Sequence, residues 1–441
     1  MDIYPVILYW LELSGYPLLM SSIKAFRFQL RLRPAHSREL QRWAGALRWL
    51  WNQALAEQRA RHARGEKYAS YVDMAKWLTA WRQAPATAWL AEGPVHPQQQ
   101  TLKRLDESYK RFFEAARKGD TRRVKPPRFK RRGKEPGMRF PDPKQFKLDP
   151  ANSRICLPKL GWLRLRLSRP VTGELRNVSL SKEGASWFCS IQTLGPDVAL
   201  AGLAPSLGID MGLVQFITLS SGESETPLKA MAEQQRRLRR YQKSVSRKKK
   251  GSCNRKKAIK RLGDLHLRIA RKRADWLHQL SSEIVSAHPV IALEDLRVAA
   301  MSASARGTAE RPGTRVRQKA GLNKSILDAA WAEFRRQLEY KTSAVGGEVI
   351  AVNPAYTSQR CAACGHTESG NRKTQSSFVC LACGHADNAD VNAAKNILAA
   401  GHAVWLERAK ACGEDVRRAK PARAKRAASS KQEPPEEPCR A

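Results

Sequence analysis

From Lys24 the chain alternates: Phe26, Phe28, Leu30 and Leu32 point one way, and Arg27, Gln29, Arg31 and Arg33 the other. That period of two predicts a strand with one buried and one basic face. Helical spacing follows over residues 37–64 (Leu40, Trp43, Leu47, Leu50, Trp51, Ala54), over 70–82 (Trp77, Leu78, Trp81), and after Pro97 as far as Gly119 (Leu102, Leu105, Tyr109, Phe112, Phe113). Tryptophans at this spacing are read as core, with base stacking as the alternative. Six short strands are predicted at 139–140, 146–148, 154–157, 162–167, 174–180 and 186–193, with the rhythm of a small antiparallel barrel.

After a linker at 199–205, Leu207 and Ile209 open a buried strand and 214–219 pairs back on it. Residues 229–288 read as a basic helical hairpin broken at Lys250-Gly251-Ser252. A short apolar strand (290–296), a helix (324–343) and another strand (347–352) come next. Val391, Ala394, Ile397 and Leu398 recur at helical spacing near the end.

Charge adds a partner. The 441 residues carry 80 Lys+Arg against 40 Asp+Glu, a formal net charge of +40, which calls for a polyanion, and nucleic acid fits that need better than an anionic membrane surface. Two stretches concentrate the charge. Residues 121–134 contain Arg122, Arg123, Lys125, Arg128, Lys130, Arg131 and Arg132 and no acid, and residues 236–261 hold fourteen Lys+Arg, Lys248, Lys249 and Lys250 among them, again with no acid. Both read as candidate phosphate-tracking segments, with a solvated loop or helix face as the ordinary alternative. Residues 1–19 lack a basic start and a cleavage site, and Asp2, Glu12 and two prolines speak against a membrane span. They read as a dispensable extension before an initiator at Met20. The Ala-, Lys-, Arg-, Pro- and Glu-rich end, from about Glu407, is expected to be disordered.

Two Cys-x-x-Cys pairs, Cys361/Cys364 and Cys380/Cys383, lie fifteen residues apart, each followed by a glycine (Gly365, Gly384). The spacing fits a four-thiolate zinc ribbon; two disulfides or unrelated buried cysteines are the alternatives. Cys156, Cys189, Cys253, Cys412 and Cys439 are scattered, which favours a reducing, cytoplasmic compartment. Four protein ligands leave zinc no open position, so its role would be structural. Three carboxylates stand out for their places. Asp210 follows one apolar strand, Glu294 ends another, and Asp390 heads the late helix, where a plain helix cap is the ordinary reading. If they share a pocket they need cations, and two Mg²⁺ ions would suit an in-line phosphodiester displacement.

The segments also resemble a known family. GIDMG, IALEDL and DNADVNAAKNIL resemble the three split motifs of the RuvC nuclease, a ribonuclease H fold, in TnpB, the transposon-encoded relative of type V CRISPR effectors. NPAYTSQRC resembles the lead into that family's zinc ribbon, AWAEFRRQLEYK the helix before it, KAFRFQLRLRP the family's start and PPRFKRRGKEPGMRFP its basic segment. The resemblance covers about Lys24 to Ala400. It implies that Asp210, Glu294 and Asp390 are metal-binding catalytic acids, that a guide RNA from the transposon end pairs with double-stranded target DNA, and that the protein reads a short adjacent motif. No acid is missing, so the chain does not look like the family's nuclease-silent members; a nuclease-silent RNA-guided DNA-binding regulator, a transposase and a CRISPR-associated relative remain the alternatives. A monomer is expected.

The expected architecture is multidomain α+β. A wedge-like barrel takes residues 20–36 and 120–198, and a helical recognition domain 37–119. A RuvC-like α/β domain takes 199–360 and 385–402 with the hairpin at 229–288, the ribbon 361–384, and a basic tail 403–441.

Overall fold

The computed structural model describes residues 19–120, 124–133, 136–199, 203–308 and 310–418. Of the expected extension 1–19 all but Leu19, together with Arg122, Arg123 and the chain beyond Arg418, lie outside the described residues. The chain divides into two units, residues 1–201 with 230–275 and 343–346, and residues 202–229 with 276–342 and 347–441.

In the first unit β1 (Leu19–Arg31) runs into α1 (Pro34–Ala63), whose Pro34 occupies the first helical turn where no N–H is needed. α2 (Tyr71–Gln83) and α3 (Val95–Arg117) follow, then β2 (Met138–Phe140), β3 (Lys147–Asp149), β4 (Arg154–Leu157), β5 (Gly161–Leu165), β6 (Glu174–Glu183) and β7 (Ser186–Ala199). These strands form one antiparallel sheet in the order β2-β6-β7-β1-β5-β4-β3. β1 carries the turn of the sheet. It pairs with β7 over most of its length, and with β5 only at Leu30 and Arg31.

The sheet wraps one core, in which Phe28, Phe140, Ile155, Leu163, Val178 and Ile191 meet. The predicted barrel is not closed: among the described residues β2 and β3 are the two ends of the sheet and no ladder joins them. The reason is local. The two strands have three residues each and are linked by a turn containing Pro141 and Pro143, which supply no N–H to a ladder.

α1 serves two cores. Leu40, Trp43 and Leu47 join the sheet core, and Leu50, Trp51, Ala54 and Leu55 pack with Met74, Leu78, Leu102 and Leu105 of α2 and α3. Trp43 and Trp51 are buried, so the core reading holds for both. α4 (Ala230–Glu233), α5 (Gln235–Ser246) and α6 (Cys253–Ala287) complete the basic hairpin, whose turn has Gly251 at φ +86°. Residues 230–275 of this hairpin group with the first unit, and α6 continues from Trp276 in the second.

The second unit is built on a five-stranded sheet of β8 (Leu207–Met211), β9 (Ile217–Leu219), β10 (Ser224–Glu225), β11 (Ile291–Glu294) and β12 (Val349–Val352), in the order β10-β9-β8-β11-β12. β8, β11 and β12 are parallel; β9 turns back antiparallel. Helices cover both faces, as parallel strands require. On one face Ile209, Ile291 and Leu293 pack with Leu277, Leu280, Phe334 and Leu338, from the end of α6 and from α9 (Trp331–Ser343). α7 (Val298–Met301) and α8 (Val316–Ala329) precede α9. On the other face Val290, Ala292, Ile350 and Val352 pack with Ile397 of α10 (Ala389–Arg418). α10 continues well past residue 402, where the sequence reading begins the tail. The hairpin of β13 (Ser377–Val379) and β14 (Ala386–Asn388) lies just before it.

Candidate metal centres and nucleic-acid surfaces

Period two places two acids on one face. In β8, Gly208 lies against α10, so a Cβ there would sit 2.2 Å from the Ala394 carbonyl and 2.7 Å from the Leu398 nitrogen. Only glycine admits this approach. Asp210, two residues on, therefore points to the same face. In β11, Ala292 packs towards α10, and Glu294 is two residues on. Ile209 pairs with Leu293, so the two acids sit level at the strand ends. α10 brings Asp390 in its first turn.

Electrostatics records the convergence. Burial, then the charges of Glu294 and Asp390, push the Asp210 carboxyl up to about 7, against a pull back from Arg372. Burial also raises Glu294, opposed by a hydrogen bond that the Thr357 hydroxyl donates to its Oε1 at 2.6 Å. Arg372 Nη2 pairs with Asp390 Oδ1 at 3.0 Å and with the Gln375 carbonyl at 2.7 Å. Three acids around one arginine leave an excess of negative charge, and oxygen donors of this kind fit hard divalent cations such as Mg²⁺. Among the described residues only the four cysteines bring ligand atoms all within 4.8 Å of one another, so the acids are spread wider than one compact chelate.

Those cysteines are Cys361, Cys364, Cys380 and Cys383. Sγ of Cys361 lies 3.7 Å from that of Cys383, and Sγ of Cys364 lies 3.6 Å from that of Cys380. Disulfides need about 2.05 Å, whereas a tetrahedron of about 2.3 Å Zn–S bonds has edges near 3.8 Å. The set therefore fits zinc and not two disulfides. The two halves match: Gly365 N–H donates to the Cys361 carbonyl at 2.9 Å and Gly384 N–H to that of Cys380 at 3.0 Å, with both glycines at positive φ. The backbone N–H groups of Cys383 and Ala382 help hold the Cys380 thiol down to about 6.

α10 also fixes the lead into this module. Asn392 donates to the Arg360 carbonyl at 2.7 Å and accepts from Ala362 N–H at 2.9 Å. Asn396 donates to the carbonyls of Thr357 and Arg360 at 2.9 and 2.6 Å. Sequence reasoning missed Thr357, Arg372, Asn392 and Asn396. The signal for the last two was present: asparagines four apart in a helix, on the buried face.

The basic candidates are distributed differently. Lys125, Arg128, Arg131 and Arg132 are exposed and Lys130 is partly buried. Their loop is pinned to α1: Trp51 Nε1 donates to the Arg128 carbonyl at 3.0 Å, and the Asn52 amide exchanges bonds of 3.1 and 2.8 Å with the carbonyl and N–H of Lys130. Lys130 Nζ stands 4.2 Å over the Trp51 ring. Lys249 and Lys250 are exposed at the hairpin turn, and Lys248 reaches Ser244 at 3.1 Å. A cleft of about 360 Å³ between α5 and α6 is lined by Arg240, Tyr241, Ser244, Ala258 and Arg261.

Comparison with known proteins decides the family. The chain is 46% identical over 403 residues to the putative RNA-guided DNA endonuclease InsQ of Escherichia coli, covering 91% of this chain and 97% of that one. The chain belongs to the TnpB family. A putative RNA-guided DNA endonuclease of Streptomyces pristinaespiralis is 33% identical over 94% of this chain and 98% of its own. Family models described as a helix-turn-helix domain, a probable transposase, and a Cas12f1-like TNB domain match residues 20–67, 201–305 and 331–397. A solved structure of the mini RNA-guided endonuclease CRISPR-Cas_phi3 aligns over 89% of this chain and 94% of its own at 10% identity and a TM-score of 0.42. No helix among the described residues is long and apolar enough to cross a membrane.

Proposed function

We propose that this member of the TnpB family is an RNA-guided DNA endonuclease of an insertion-sequence transposon, which hydrolyses phosphodiesters of double-stranded target DNA beside a short adjacent motif. Asp210, Glu294 and Asp390 are its catalytic acids. The observation that carries the reading is that the charges of Glu294 at a second strand end and Asp390 on a helix both act on the buried Asp210, in a chain 46% identical to a relative named as such an enzyme.

The three carboxylates would hold two Mg²⁺ ions, which supply a more acidic water and charge neutralisation at the departing oxygen. The residues of the chain do the rest. Thr357 fixes the orientation of Glu294 through the 2.6 Å bond. Arg372 offsets part of the negative charge and restrains Asp390 through their 3.0 Å ion pair. Water oxygen bonds to phosphorus and gives up a proton to solvent, the bond from phosphorus to the 3′ oxygen breaks with its electron pair on that oxygen, and the 3′ oxygen takes a proton from solvent; the products are a 5′-phosphate and a 3′-hydroxyl. Zinc on the four cysteines would order the module that carries Arg372 and takes no part in bond breaking. The guide RNA would pair with the target strand, while the 124–133 loop and the 240–261 cleft grip phosphates.

The test is plasmid cleavage by protein co-expressed with the RNA from its own locus. Cutting that needs a divalent cation, and that Asp210→Asn abolishes without loss of RNA binding, supports the reading. Cutting by a triple Asp210→Asn, Glu294→Gln, Asp390→Asn variant rejects it. Strand-transfer products in place of simple breaks would favour a joining enzyme, the sense of the transposase description that matches residues 201–305.

A further inference from the structure

Tyr356 is a large aromatic side chain left 68% exposed, with its backbone at φ +64°. Bulky residues enter that left-handed region only when their surroundings impose it, and such residues cluster at functional sites. Neither feature favours folding: the ring stays in water and the backbone is strained. Among the described residues six non-glycine positions have positive φ, and Tyr356 is the aromatic one.

The surroundings impose it from both sides. Tyr356 C=O accepts from the N–H groups of Gln359 and Arg360, both at 3.0 Å. Before it, Ala355 N–H donates to Asn353 Oδ1 at 3.0 Å. After it, Thr357 gives its hydroxyl to Glu294, and its carbonyl accepts from Asn396 of α10. The turn is thus tied to the strand end that bears Glu294 and to the helix that bears Asp390. It holds an exposed ring one residue from Thr357.

We propose that Tyr356 is a base-stacking residue, whose ring takes an unpaired nucleobase next to the phosphodiester that Asp210, Glu294 and Asp390 act on. The proposal rests on the nuclease reading above. Its logic is electrostatic. A phosphate that meets the acids and their cations is held by charge alone, and every phosphate of the strand is alike, so the strand's placement must come in part from a group on which that charge does not act. A base face is such a group, and every base has one, which suits an enzyme whose sequence choice lies in a guide. The base must be unpaired, since a duplex already stacks its own.

The experiment uses the RNA-bound protein, wild type and the variants Tyr356→Phe, Tyr356→Ala and Tyr356→Gly, with target DNA carrying 2-aminopurine at successive positions around the cut. Tyr356→Phe should behave as wild type. Tyr356→Ala and Tyr356→Gly should lose fluorescence quenching at one position and raise the half-saturating DNA concentration roughly 5- to 150-fold, the range of one base–aromatic stack. The maximal rate should move less, and Tyr356→Gly should melt at the wild-type temperature or above. Removing the base at that position should weaken wild type by the same factor and leave Tyr356→Ala unchanged. Equal quenching in wild type and Tyr356→Ala overturns the proposal. So does a drop in melting temperature that tracks the loss of activity, because that marks a structural role. If wild type binds DNA but does not cut it, the nuclease reading fails, and the quenching comparison still decides the stacking.

Discussion

Thr357 shows how much of this site depends on single neutral side chains. Its hydroxyl donates to Glu294 and accepts no charge in return, so it aims the carboxylate without competing for a cation. Thr357→Val keeps the shape and removes the donor. Because partners outside the ligand shell typically set metal affinity by about 10- to 100-fold, the variant should need that much more Mg²⁺ for half-maximal cutting, with wild-type rates restored at saturating metal. A Mg²⁺ titration that overlays wild type would refute this. Gly208 works by having nothing to offer. Gly208→Ala would drive a methyl into the Ala394 carbonyl and part α10 from β8. Overpacking of this kind costs about 1–3 kcal/mol, and backbone offers no rotamer escape. The expected result is a lower melting temperature together with lost cutting, checked by thermal unfolding beside a cleavage assay.

Elements were legible where a period repeats and obscure where a single bond decides. The alternation from Phe26 to Leu32 and the helical spacing from Leu40 to Ala54 announce β1 and α1, since each pattern is the buried face itself. The four cysteines announce their module for the same reason: ligand spacing is geometry written in sequence. Arg372 was not legible, because an arginine beside Lys373 in a chain this basic looks like its neighbours until the fold sets it on Asp390. Barrel closure was not legible either. Strand rhythm counts strands, whereas closure depends on whether the first and last can exchange N–H groups across Pro141 and Pro143.

The start of α2 offers a test on a solvent-facing element. Ser70 gives both its N–H and its hydroxyl to Asp73, at 2.9 and 2.8 Å, and these bonds hold the Asp73 carboxyl below its ordinary value. A depressed carboxylate contributes stability that is fully present above its unfolded pKa and is lost as pH falls through the folded one. The melting temperature of wild type minus that of Asp73→Asn should therefore be constant at neutral pH. It should shrink only in acid, below the ordinary carboxylate range near 3.9. A difference that stays flat through acid would remove the cap from the account.

At the scale of the whole molecule the net charge of +40 is a debt that a polyanion must settle. Exposed cations on a pinned loop and a hairpin turn meet phosphates without first paying to be ordered, and Asn52 is what pins the loop. Each cation that neutralises a phosphate releases condensed counterions, so affinity falls with salt in proportion to the number of contacts. An enzyme that contacts six to ten phosphates should lose about 10³- to 10⁵-fold in affinity for nucleic acid between 50 and 200 mM salt. The slope also separates two roles that a single affinity would merge. Arg128→Ala removes one cation and should lower the slope of log affinity against log salt by about one if it meets a phosphate. Asn52→Ala removes no charge but frees the loop, so it should weaken binding at every salt concentration while leaving the slope close to wild type. If Asn52→Ala lowers the slope as Arg128→Ala does, the loop's cations engage only when held, and ordering and contact are one event. If neither variant moves the slope or the affinity, the loop is a solvated surface and the phosphates are gripped elsewhere.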